Sequence, residues 1–249
     1  YDAVEVRFDT HSSKNYYFNS SYTWSRLFGN YSGLASSDED GRTSPNVNRN
    51  FDLPIVGFTA LGVKDNGLLP TDRPHSFKFY GGYSLKWKEK LGFSPGSSTD
   101  FSLFTVVQSG TPLTTRFVLF NIDNMILNGR GDLGRTEAFT QTDFAIHHRY
   151  KFGGSERFAI VFDLDVLNLF NEANVLTVFD NISSVNIPAT DIGLSANTPE
   201  AEAQFQRTNT SDKINAILNS PAGSKDARFG LPNSFQSPRT IRFGFRFQF

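Results

Sequence analysis

The sequence predicts an all-β chain: a segment of a transmembrane antiparallel β-barrel with about seven strands and long loops at one end. Three observations predict it. Apolar and polar residues alternate with period two wherever the pattern is clear, as in a half-apolar strand. The polar side of those strands carries Arg, Lys, Asp and Glu, while the apolar side carries none of them. Short and long connectors alternate strictly along the chain, so all long loops fall at the same end. Composition agrees. Among 249 residues there are 26 Phe and 8 Tyr but one Met, in a chain only 38% hydrophobic. The mean hydropathy is −0.34. A large water-soluble core would draw more on Leu and Ile, whereas strands with one greasy face need aromatics at every second position.

Taken in order, Val4, Val6 and Phe8 oppose Glu5, Arg7 and Asp9. Tyr16, Phe18, Tyr22 and Trp24 oppose Asn19, Ser21, Thr23 and Ser25. Phe77, Phe79, Tyr83, Leu85 and Trp87 oppose Lys78, Tyr80, Ser84 and Lys86. A strand around residues 100–120 is predicted by type, with its register open. Phe144, Ile146, Tyr150 and Phe152 oppose Asp143, His147, Arg149 and Lys151, and only His148 breaks the apolar side. Phe158, Ile160, Phe162, Leu164 and Val166 oppose Ala159, Val161, Asp163 and Asp165. Ile241, Phe243, Phe245, Phe247 and Phe249 oppose Thr240, Arg242, Gly244, Arg246 and Gln248. These strands are about ten residues long, as a tilted bilayer crossing requires. Tyr16 and Trp24 would stand about 20 Å apart along the normal, near the ~25 Å height of a barrel's apolar band.

The short connectors are His11–Lys14, Lys88–Ser98 and Gly153–Glu156. The long ones run over 29–74, 121–138 and 171–237 and are rich in Gly, Asn, Ser, Asp and Pro. Within the last, Thr198-Pro199-Glu200 reads as a helix start, with Pro at the first helical position and an acid in the first turn. Ser211–Asn219 reads as a second short helix. A soluble β-sandwich would also alternate, with its aromatic faces packed inward. It would not need so strict an exclusion of charge, which hydrocarbon imposes at about 2–4 kcal/mol per midplane cation. Seven is an odd count, and an open sheet in lipid leaves unpaired edges. Further strands are therefore expected upstream, and Tyr1, with neither Met nor signal peptide before it, reads as an internal start.

Several classes are excluded. With 24 basic and 25 acidic residues the chain lacks the basic footprint of a nucleic-acid binder. It has no cysteine, hence no disulfide framework and no cysteine-ligated zinc. No apolar run is long enough for a transmembrane helix. Neither G-x-S-x-G nor H-E-x-x-H occurs, and no nucleophile sits at readable spacing from a base, so no enzyme and no cofactor are predicted.

Tyr22–Arg26, Tyr31–Asn48, Thr71–His75, Ser109–Arg116, Gly129–Thr136, Val166–Asn171 and the terminal Pro238–Phe249 occur in this order. Together they resemble the C-terminal barrel of TonB-dependent outer-membrane receptors, most closely the Oar-like group. The resemblance implies a barrel of about 22 strands with a plugged lumen. It makes residues 1–249 the C-terminal portion, with plug domain, TonB-box and earlier strands outside it. It further implies the outer membrane of a Gram-negative-type bacterium, energy supplied by TonB–ExbB–ExbD through the plug, and uptake of an unidentified small or polymeric ligand. A terminal strand ending in Phe is, in such barrels, read by the β-barrel assembly machinery, which marks Phe245, Phe247 and Phe249. The rival is an adhesion or surface-binding protein in the same membrane that transports nothing.

Candidate lumen-facing charges are Asp143, Arg149, Lys151, Asp163, Asp165, Arg242 and Arg246. The basic ones could meet an anionic substrate or plug carboxylates, or could simply neutralise Asp163 and Asp165. Asp38-Glu39-Asp40 offers clustered oxygens of the kind calcium favours, although a solvated loop run explains it as well. Arg130-Gly131-Asp132 spells an adhesion tripeptide that a turn also explains. His147 and His148, adjacent on a strand, must point to opposite faces and cannot chelate one metal.

Overall fold

The computed structural model describes residues 1–11, 15–30, 59, 63–87, 96–119, 122–153, 157–183, 185, 211–219 and 225–249. In chain order the strands are β1 (Asp2–His11), β2 (Tyr16–Arg26), β3 (Phe28–Gly29), β4 (Gly67–Leu68), β5 (His75–Lys86), β6 (Ser98–Gln108) and β7 (Arg116–Leu119). They continue with β8 (Ile122–Ile126), β9 (Phe139–Phe152), β10 (Phe158–Leu167), β11 (Val175–Val178), helix α1 (Ser211–Leu218), β12 (Pro232–Phe235) and β13 (Thr240–Gln248).

Seven of these strands form one antiparallel sheet in the order β1-β2-β5-β6-β9-β10-β13. Neighbours in this sheet are neighbours in sequence once the small loop strands are set aside, so it is an up-and-down meander. The sheet is open, with β1 and β13 as its edges. Its strands run from nine residues in β13 to fourteen in β9, enough to cross a bilayer. Among the described residues no helix is long and apolar enough to do so.

Register decides the faces. Leu164 pairs with Ile146 on one side and Phe243 on the other, and Phe162 lies between His148 and Phe245. Tyr22 lies between Val6 and Phe77. All predicted apolar sides therefore fall on one face, left open: Val6 is 64% exposed and Phe243 is 72% exposed. On the opposite face Asp163 lies between His147 and Gly244, and Asp165 is in register with Arg242. We expect the isolated 249-residue chain to require detergent, because this apolar face and two edges invite association. Sedimentation of a folded monomer in plain buffer would show that assignment of the face to lipid to be wrong.

One predicted element is corrected. The strand placed around 100–120 is two: β6 stops at Gln108, and Arg116–Leu119 pairs with Ile122–Ile126 as a separate hairpin. Its register was unreadable for a physical reason. Thr99 and Thr105 sit on the apolar face, aligned with Leu85 and Phe79, while Phe104 and Val106 sit on the charged face with Tyr80 and Lys78. The middle connector starts earlier as a result, and between sheet strands the long connectors span 27–74, 109–138 and 168–239. They do leave from one end. Trp24 pairs with His75 there, Gln108 with Phe139, and Leu167 with Thr240. The short links lie at the other end. The helix expected at Ser211–Asn219 forms over Ser211–Leu218, with Ile214 and Leu218 buried. The helix start at Thr198 lies outside the described residues.

Candidate functional site

Three polar arrangements could carry function: the loop bases, the charged face, and two clusters at the rims of the apolar face.

The loop bases contain most of the deeply buried side chains. Phe117, Leu127, Ile126 and Leu69 are buried there beside polar Asp65, Asp72, Thr114, Thr115 and Arg116. Charge can be buried because each group is paired. Arg130 donates through Nε and Nη2 to both Asp65 carboxylate oxygens, at 2.8 and 2.7 Å. Those side chains are 3% and 2% exposed. Arg135 reaches Asp72 Oδ2 at 2.5 Å and the Asp72 and Gly110 carbonyls at 3.1 and 3.0 Å. Asp72 also accepts the Leu27 N–H, while Arg73 donates to the Ser109 carbonyl at 2.8 Å.

The Gly129–Thr136 stretch is built for this. Gly131 and Gly134 hold φ of +81° and +84°, a region that side-chain-bearing residues rarely adopt. Gly131 N–H donates to Thr114 Oγ1, and Asp132 accepts the Thr115 N–H and the Asn128 amide. Arg130-Gly131-Asp132 is thus a structural knot with both charges occupied, the turn reading rather than the adhesion reading. Gly110 is a second fixed point: a Cβ there would lie 1.8 Å from the Thr136 carbonyl oxygen. Gly110→Ala should force the paired backbones apart and cost about 1–3 kcal/mol of loop stability, read as easier proteolysis of 109–138. Unchanged cleavage would mean that these backbones have slack.

At the base of the last loop, Asn168 and Asn171 end β10 with φ of +54° and +55°, which Asn tolerates better than most residues. Asn168 N–H donates to Asp143, and its amide donates to the Glu172 and Ser237 carbonyls. Further out, Arg228 stacks 4.5 Å from the Phe179 ring. Its guanidinium hydrogen-bonds Asp226, which holds that carboxyl below the usual carboxylate range.

On the charged face, Asp163 bonds His147 Nδ1 and meets Arg246 Nη2 at 3.1 Å. Arg149 donates to Gln248 at 2.6 Å. Lys151 lies over Gly96. Asp143 accepts from Gln141 and Asn168. The structure thus pairs Asp163 with Arg246 across β10–β13 and sets Asp165 in register with Arg242. The second partner of Asp163, His147, is not among the basic candidates. Two tyrosines also meet here: Tyr80, placed on the polar side by the sequence, and Tyr17, which sequence reasoning left unassigned, share a 2.9 Å hydroxyl contact, with Tyr17 covering Gly82.

At the rims of the apolar face, Tyr22 OH bonds His75 Nδ1 at 2.8 Å near the loops. At the short-turn end Trp87 donates to Thr99 Oγ1 at 2.8 Å, and that hydroxyl contacts His148 Nδ1 at 2.7 Å. The one polar residue breaking the apolar side of β9 is therefore satisfied by its neighbours. His147 and His148 do point to opposite faces. No group of three His, Cys, Asp or Glu among the described residues could hold a metal. Asp38-Glu39-Asp40 lies outside the described residues, as does the whole Tyr31–Asn48 motif.

An antiparallel meander with one open aromatic face, one ion-paired face and all long loops latched at one end defines a segment of membrane β-barrel wall. Over its whole length the chain is 32% identical to the TonB-dependent transporter Oar of Myxococcus xanthus, across 255 aligned residues. The chain is thus similar to a TonB-dependent transporter, and its likeness to the Oar-like group is borne out. The chain spans 22% of that relative's length. No family model matches it, and no solved structure does.

Proposed function

We propose that residues 1–249 form the C-terminal part of an outer-membrane TonB-dependent transporter, supplying barrel wall and extracellular loops for energised uptake of an unidentified ligand. The observation that carries this is the similarity of the whole chain to a TonB-dependent transporter, supported by a sheet whose open face is rich in aromatics and carries Asp or Arg only at its loop rim, where Asp2 is in register with Arg26. In this reading the apolar face meets lipid. Asp143, Arg149, Lys151, Asp163, Asp165, Arg242 and Arg246 line the lumen. The latched loops face outward. The plug and the earlier strands belong to other parts of the protein, and TonB–ExbB–ExbD acts through that plug. The segment is wall and cover, with no catalytic role.

The test is site-specific photo-cross-linking of the full-length protein in cells. A cross-link to TonB, in protein recovered from the outer membrane, is the expected result. Protein that reaches the outer membrane and binds surfaces without ever contacting TonB would establish the adhesion reading instead.

β13 is further proposed as the strand read by the assembly machinery, through Phe245, Phe247 and Phe249. Phe249 is 91% exposed, and one interfacial Phe contributes at most about 1.5–3 kcal/mol to final stability. Phe249→Ala should therefore sharply lower the amount of receptor in the outer membrane, while the fraction that inserts keeps nearly normal heat resistance on a gel. Normal surface levels would leave Phe249 as an ordinary lipid-facing ring.

A further inference from the structure

We propose that the described bases of the three long loops form a single cap that moves as one body, with the middle loop, through Thr115, Arg116, Arg130 and Arg135, as its hub. The contacts make a continuous path. From the first loop, Asp65 and Asp72 are held by Arg130 and Arg135 of the middle loop. Inside the middle loop, Asp132 accepts the Thr115 N–H, and Leu127 N–H donates back to the Thr115 carbonyl. This joins the knot to the β7–β8 hairpin, whose first residue, Arg116, pairs with Ile126.

Arg116 then carries the path into the last loop. Its N–H donates to the Asp180 carbonyl at 3.0 Å, its carbonyl accepts Ile182 N–H at 2.8 Å, and its Nε lies 3.3 Å from the Asp180 carboxylate. Ile182 in turn accepts Asp226 N–H, and Phe179 exchanges bonds with Leu231 and Gly230. A residue of β7 thus acts as an added parallel bridge to Asn181.

These links are buried or backbone-mediated, and such groups lose much when separated. Pulling one loop outward would strand a buried carboxylate or a buried guanidinium in another, so the low-cost motion is displacement of all three together. Contact with a ligand at any one loop would then be felt at all of them. Cooperative units of this kind are recognised by shared hydrogen-exchange behaviour.

The test uses the full-length protein in outer-membrane vesicles with Asp65→Leu, which removes the carboxylate acceptor of the Arg130 guanidinium in the first loop. Amides of Ile182, Asp226 and Gly230 in the last loop should exchange about tenfold faster or more, while those of β9 and β10 keep their rates. The reverse variant, Asp180→Asn in the last loop, should speed exchange at Leu69 and Asp72 by a smaller factor with the same reach. Acceleration confined to the substituted loop, for either variant, overturns the proposal. Acceleration that spreads into β9 and β10 also overturns it, because the cap would then not be a unit distinct from the wall.

Discussion

Arg130→Met should be among the most damaging single changes in the loops, costing the loop assembly about 3–5 kcal/mol. The reason is the partner rather than the arginine. Asp65 is almost wholly buried and receives two short hydrogen bonds from the Arg130 guanidinium. Removing the arginine takes two charge-assisted hydrogen bonds from a buried carboxylate, which favours its protonation, hydration or expulsion, and each route opens the loop base. The double variant Arg130→Met/Asp65→Leu should recover most of the loss, since two apolar groups can occupy the site without an orphaned charge. Limited proteolysis of the full-length protein in vesicles measures this, with cleavage at 63–72 and 128–136 as the readout. If the single and double variants are cut equally fast, the pair is not what closes the loop base.

Phe162→Arg should destabilise the folded barrel by about 2–4 kcal/mol, because it places a cation near the bilayer midplane. Phe162 lies mid-strand on β10 between Phe245 and His148, 41% exposed on the open face. Its neighbour points the other way. Asp163→Asn would weaken the contacts with His147 and Arg246, but Asn still accepts hydrogen bonds. The aspartate, moreover, stands in a polar, partly exposed setting, so the loss should be well under half that of Phe162→Arg. Unfolding in lipid vesicles compares the two. Equal tolerance at both positions would mean that lipid and lumen have been assigned to the wrong faces.

The wall was legible because period two couples directly to sidedness. In β13 every second residue from Ile241 to Phe249 is apolar, and no other register of that strand keeps Arg242 and Arg246 off the greasy face. β6 was less legible because Thr105 and Phe104 exchange the roles their polarity suggests. Phe104 is tolerated on the charged face beside Tyr80 and Asp143. The loop motifs were visible as resemblance but mute about cause. Nothing in the spacing of Arg130 and Asp65, or of Arg135 and Asp72, says that they meet, since each pair spans more than sixty residues. The same holds for Asp163, whose partner Arg246 is 83 positions away.

The sequence by itself determined the strand faces, the alternation of short and long links, and hence that all long loops share one end. These follow from local rules: side chains alternate along a strand, and consecutive antiparallel strands reverse direction. Only the tertiary structure decided which charges are neutralised by which, that Arg130-Gly131-Asp132 is an internal knot, and that three separate loops are fastened together. Those outcomes depend on distances between residues remote in sequence, where a side chain's type limits what it can bond but never which partner the fold brings within reach.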